Sequence, residues 1–122
     1  MMALPGLTTI EIIRTDGRRE HHDVGKNIAI EWSRRMSGAD ALDSVNLRDG
    51  RVMMLDDHGY EVETVDMGIE GDPPRRRFVQ RCVRALKPVN QKATELYWSV
   101  CKPGTTHQIV GDVAIVVDED LA

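Results

Sequence analysis

The stretch that most constrains the fold is Pro88 to Val117, PVNQKATELYWSVCKPGTTHQIVGDVAIVV, because its local signals agree. Asn90 is a good N-cap, since its side-chain oxygen can take a first-turn amide, and Pro88 stops any helix arriving from upstream. Ala93, Leu96, Tyr97, Val100 and Cys101 recur at helical spacing and form one apolar stripe. Lys102-Pro103-Gly104 is expected to end the helix, as Pro cannot continue it and Gly supplies the turn. Ile109 to Val117 is rich in β-branched residues that suit a half-buried pleated surface. Gly111-Asp112 breaks this run in two, as a bulge or a tight hairpin. The segment therefore reads as a capped helix, a loop, and strands that pair with earlier ones.

Earlier in the chain, Thr8 to Arg14 alternates as a strand, Asp16-Gly17 marks a hairpin, and Arg18 to Val24 pairs back as a polar edge strand. Asn27 is placed to cap a helix that runs to about Met36, with Ile28, Trp32 and Met36 on one side and Ser37-Gly38 at its end. Leu42 to Leu47, Arg51 to Leu55 and Tyr60 to Val65 read as strands joined by Asp49-Gly50 and Asp57-His58-Gly59 turns. The expected class is α+β: an antiparallel sheet of hairpins and a meander, packed against two or three amphipathic helices. The 122 residues fit one domain, with residues 1–7 as a flexible tail behind Pro5-Gly6 and residues 64–87 as a basic insertion.

PVNQKAT followed by LY, and then CKPGTTHQIVGDVAIV, resembles a family of small phage- and prophage-encoded domains of unknown function. In that family an Asn precedes a helix carrying Ala-Thr, and an Ile-x-Gly-Asp-Val-type strand follows. The match covers residues 88–117. It implies an α+β fold and a phage-borne accessory role; it implies no reaction, and no catalytic residue can be carried over.

The middle of the chain carries the charge signal. From Asp72 to Leu86, DPPRRRFVQRCVRAL, an Asp cap and a Pro at the first helical position form a helix start. Phe78, Val79, Cys82, Val83 and Leu86 then make a helical stripe, and a strand alternates less well, so the expectation is an Arg-rich helix. Between Pro73 and Thr94 stand five Arg and two Lys with no acid, +7 in 22 residues, against a net −4 for the chain; the other 100 residues therefore carry −11. Such segregation marks an anion-facing patch built on Arg75, Arg76, Arg77, Arg81 and Arg84, whose guanidinium groups suit bidentate contact with phosphate or carboxylate. The plain alternative is a basic face that neutralises acidic strands of the same molecule.

Lys102, Thr105, Thr106 and His107 offer a second anion cradle in the loop after the helix, although loops that merely cap a helix look the same. Trp98 falls at the edge of the helical stripe, where a homodimer or partner contact competes with simple partial burial. His21-His22 is a poor metal site because neighbouring strand residues face opposite ways. Cys101 on an apolar stripe reads as packing, and no nucleophile, base and orienter stand together, so no enzyme, metal or cofactor is expected. No apolar run approaches the ~20 residues of a membrane span, and two cysteines do not make a disulfide framework. A cytoplasmic, non-catalytic phage accessory protein is expected. It would antagonise a host defence-type system by binding a nucleic-acid-handling protein complex or by sequestering a phosphorylated small molecule. The alternative is direct DNA or RNA binding through the Arg-rich segment 73–86.

Overall fold

The structure, a computed structural model, describes residues 6–117. It is mostly antiparallel sheet with two α-helices. Five strands, β1 (Leu7–Ile13), β2 (Arg19–Gly25), β3 (Leu42–Asn46), β4 (Arg51–Asp56) and, last in the chain, β7 (Val113–Val117), form one sheet in the order β2-β1-β7-β4-β3. All its pairings are antiparallel. The remaining two strands, β5 (Tyr60–Glu70) and β6 (Arg75–Ala85), pair only with each other. The tail expected over residues 1–7 lies outside the described residues as far as residue 5; Leu7 already belongs to β1.

The sheet is covered on both faces. Ile10, Ile12, Val52, Met54, Ala114 and Val116 face α1 (Ala29–Ser37) with its Ala29, Trp32 and Met36. Ile13, Met53, Val113 and Ile115 face α2 (Gln91–Ser99) with its Ala93, Leu96 and Tyr97. β7 sits at the centre, so both sides of its pleat are buried, and its run of apolar residues follows from that position rather than from a half-buried surface.

Asn90 caps α2 as expected, accepting from the Ala93 amide at 3.1 Å. The helix stops at Ser99, with Val100 as its C-cap, three residues before Lys102-Pro103-Gly104. Cys101 therefore lies in the following loop. α1 is not capped by Asn27, which falls in a short 3-10 turn (Lys26–Ile28) ahead of it. Its buried positions are Ala29, Ser33 and Ser37, with Trp32 and Met36 partly covered, while Ile28 is exposed. The helix ends on Gly38, whose φ of 70° is left-handed, as the Ser37-Gly38 signal predicts.

Gly111 and Asp112 form neither a hairpin nor a second strand; Val110 makes only an isolated bridge to Val89. Gly111 has a φ of 78°, and a Cβ there would stand 2.9 Å from the Lys87 Cδ, so glycine meets two constraints at once. Asp112 accepts from the Thr15 amide and from Arg14 Nη1, both at 2.9 Å. Arg14 also donates to Glu20 at 2.7 Å and to the Met36 carbonyl at 2.7 Å, so one guanidinium joins β1, β2, α1 and the start of β7.

Candidate functional site

The segment expected to be an Arg-rich helix is strand β6, the second half of a long ribbon with β5. Asp72-Pro73, read as a helix start, lies in the turn at the ribbon tip, and its peptide bond is cis. The partner strand decides between the two conformations. As an isolated helix, residues 75–86 would set five guanidinium groups on one short cylinder with no acid among them. As a strand, four of them reach carboxylates of β5: Arg84 pairs with Glu61, Arg81 with Glu63, Arg76 with Asp66 at 2.6 Å, and Arg77 with Glu70 at 3.1 Å. Arg75 makes no ion pair among the described residues. From Tyr60 to Ala85 the ribbon holds five acids and five arginines and is neutral.

Along β6 only Val79 is even partly buried, so the ribbon stands out from the layered body as an arm. Its root is fastened. Lys87 Nζ meets the buried Asp56 carboxylate at 2.6 Å and donates to the Gly38 carbonyl at 2.9 Å. Burial pushes the Asp56 carboxyl up, but the Lys87 ammonium and the His58 amide outweigh it and hold the group below its usual range. Tyr60 donates its hydroxyl to the Gln108 carbonyl at 2.6 Å. Burial raises its phenol above the ordinary value. Gly59 is required at the turn, because a Cβ there would lie 2.6 Å from Val110 Cγ2.

The second set of predicted residues lies on the body. Trp98, half-exposed, donates its indole N–H to the His107 carbonyl at 2.8 Å, and Thr105 donates its hydroxyl to the Lys102 carbonyl at 2.8 Å. These bonds close the loop on itself, so the Thr105 proton is already committed. Lys102 and Thr106 are exposed. The His107 ring lies 5.1 Å from Tyr60 and 6.0 Å from Tyr97, which ties the loop to the arm root.

The two sets do not converge within one chain. Arg75, Arg76 and Arg77 stand at the tip, about 30 Å along a nine-residue run from Ala85. Arg81 and Arg84 are nearer the root, but with Glu63 and Glu61 they occupy the ribbon face opposite to Tyr60 and Val62. The arginines and the Thr105-Thr106 loop are therefore two separate sites in one copy, not one pocket.

What lies beside His107 instead is a cleft of about 520 Å³ between the arm and the body, with Leu55, His58, Tyr60, Val62, Cys82 and Ile109 in its walls. Sequence reading missed it because its residues come from four separated segments with no common motif. Its open walls bring carboxylates (Asp43, Asp57) rather than arginines, which suits apolar or weakly cationic groups more than phosphate. His21 and His22 face opposite sides of β2: His21 meets Glu11 at 2.9 Å, and the His22 ring packs tilted against Trp32 with centroids 5.0 Å apart. Among the described residues no three His, Cys, Asp or Glu side chains are grouped to hold a metal ion, and no helix is long and apolar enough to cross a membrane. No family model, curated protein or solved structure matches the chain.

Proposed function

We propose that the protein is a non-catalytic phage accessory protein that acts in the cytoplasm of the bacterial host. It antagonises a host defence-type system by docking its arm on a nucleic-acid-handling protein complex. The phage origin rests on the resemblance of residues 88–117; the docking role rests on the arm. The observation that carries it is a set of ion pairs: Arg84–Glu61, Arg81–Glu63 and Arg77–Glu70 lie along one face of a neutral ribbon, with the partly buried Val65–Val79 pair between the second and the third. A face of both signs complements a protein surface that also bears both signs, and so gives specificity more than bulk attraction.

The same pairing weakens the other two readings. A phosphorylated ligand or a nucleic acid backbone would meet a carboxylate beside four of the five guanidinium groups, and the arm supplies no net positive charge to release counterions. The distinguishing experiment is affinity capture from host cells with the wild type and with an Arg77→Glu, Arg81→Glu, Arg84→Glu variant. The wild type is expected to retain a defined host complex, and the variant to lose both that complex and its protection of the phage. Retention of the complex by a folded variant defeats the reading. Binding of an oligonucleotide with a steep salt dependence would replace it with direct nucleic-acid binding.

A further inference from the structure

The two end strands of the five-stranded sheet, β2 and β3, present different edges among the described residues. β2 carries Arg19, Glu20, His21, His22 and Asp23, so charge stands on both of its faces and blunts that edge against pairing. β3 reads Leu42-Asp43-Ser44-Val45-Asn46 and bears a single charge. Its outer backbone groups follow from the flanking bonds. The Leu47 amide donates to the Arg51 carbonyl at 2.9 Å, and the Asp57 amide to the Ala41 carbonyl at 2.8 Å. Alternate residues of an antiparallel pair turn the same way, so Asp43 and Val45 bond β4, while Leu42, Ser44 and Asn46 turn their amides and carbonyls outward. The Ser44 amide agrees: it donates to the Asp43 carboxylate at 2.8 Å.

A hollow flanks this edge on each face of the sheet. On the α1 face, Leu42, Ser44 and Asn46 border a cavity of about 300 Å³ together with Ile30, Val52 and Met54. Ile30 is 54% exposed, an apolar helix residue that the core does not use. On the α2 face, Asp43 borders the cleft of about 520 Å³, whose walls add Asp57 and hold no Lys or Arg. A further carboxylate there, Asp56, is already paired with Lys87. One strand edge thus separates an apolar hollow from an acidic one.

We infer that an extended segment of a partner protein, in which apolar residues alternate with Lys or Arg, adds to the sheet beside β3. The two hollows set that pattern. Side chains of an added strand point to the two faces in turn. Those level with Leu42, Ser44 and Asn46 enter the apolar hollow; those level with Asp43 and Val45 reach the acidic one. The outward amides and carbonyls supply the main-chain bonds, and the hollows choose the side chains. A carbonyl of the added strand takes the Ser44 amide in place of Asp43, which frees that carboxylate for the strand's cation on the same face. Without the strand, Asp43 satisfies the central donor and guards the edge. A strand bearing acids at the same positions meets Asp43 and Asp57 and is refused. The edge belongs to the body, so this docking does not rest on the ion pairs of the arm.

The test uses an acetylated and amidated peptide, Lys-Val-Lys-Val-Lys-Val-Lys, and its counterpart with Glu for Lys. Binding is followed through the backbone amide resonances of the isotope-labelled protein. The Lys peptide should shift Leu42, Ser44 and Asn46 most, and the Glu peptide should leave them in place. Methylating the valine amides removes the donors that face β3 while keeping every side chain, and should weaken binding at least about tenfold. Ser44→Pro deletes an outward amide and no ladder bond, so it should fold, as circular dichroism verifies, and should bind as weakly. Equal binding of the two peptides, undiminished binding of the methylated one, or shifts confined to the arm overturns the proposal. So does a free protein of doubled mass that Ser44→Pro returns to 13.7 kDa, since a second copy is then the occupant of the edge.

Discussion

The side-chain amide of Asn90 donates to the Ile13 carbonyl at 2.9 Å, joining the start of α2 to the end of β1 across the middle of the fold. The same amide donates to the Gly111 carbonyl at 3.0 Å, while its oxygen caps Ala93. One buried side chain thus satisfies a helix end and two strand ends. Its position in the sequence announces only the first of these roles.

Replacing Asn90 with Ala removes the cap and leaves two buried carbonyls without a donor. The expected loss is about 2–4 kcal/mol, the sum of a cap and the desolvation of unpaired groups. Asn90→Asp keeps an acceptor for Ala93 but sets a carboxylate against two carbonyls, and should be as damaging at neutral pH. Urea unfolding of both variants measures this. A loss confined to the ~1 kcal/mol of an ordinary cap would mean that the Ile13 and Gly111 contacts contribute little.

Thr94 is fully buried; its hydroxyl donates to the Asn90 carbonyl at 2.8 Å and accepts from the Ile109 amide at 2.9 Å. Thr94→Val keeps the shape and strands the Ile109 N–H, at a cost of about 1–3 kcal/mol. The denaturation midpoint should fall with no change of slope. An unchanged midpoint would show that the Ile109 amide finds another acceptor.

These contacts explain what was legible in the sequence. Asn90, Ala93, Thr94, Ile109, Gly111 and Asp112 are the clasp that holds α2, β1 and the approach to β7 together. Their signals were readable because capping and turn chemistry are local, and they speak of fold rather than of a reaction. The hairpin at Asp16-Gly17 was readable for the same reason. The arm was not. Phe78, Val79, Cys82, Val83 and Leu86 fit a helical stripe, and within a dozen residues nothing distinguishes that stripe from one strand of a ribbon. The deciding partners, Glu61, Glu63, Asp66 and Glu70, stand earlier in the chain, and pairing across that gap is a tertiary fact. The arginines could be singled out from charge alone, but not the carboxylates that hold them.

The cluster around Arg14 makes stability depend on acid. Glu20 is held at about 2, against an ordinary 4.5, first by the hydrogen bond from Arg14 and then by that from His22. A carboxyl depressed in the folded state contributes stability that is fully present above its unfolded pKa and is lost as pH falls toward the folded one. The window is therefore pH 4.5 down to about 2. Glu20→Gln should lower stability at pH 7 and flatten the acid limb of the stability profile across that window. Parallel profiles for the two proteins would show that Glu20 is not coupled to folding.

The tip arginines separate a structural role from a binding one. Arg76 and Arg77 pair with Asp66 and Glu70 in full view of solvent, where such pairs contribute little. Arg75→Ser, Arg76→Ser, Arg77→Ser should therefore leave the melting temperature nearly unchanged. If the charged face docks on a partner, binding should fail in the same variant. Full binding by a folded variant would confine docking to Arg81 and Arg84 or remove it from the arm.

The arm should also be dispensable for folding. Tyr60 and Ala85 are paired directly, so residues 61–84 can be replaced by Asn-Gly, a two-residue turn that closes an antiparallel pair. The excised chain keeps Tyr60 on Gln108, Lys87 on Asp56 and both apolar layers of the five-stranded sheet. Cooperative unfolding should persist, with a shift in melting temperature below the 4–8 °C or so that accompanies a change of about 1 kcal/mol. Partner capture should disappear, since it is assigned to a face of the missing ribbon. Loss of cooperative unfolding would place the arm within the folding unit, and its exposed faces would then need a structural explanation before a functional one.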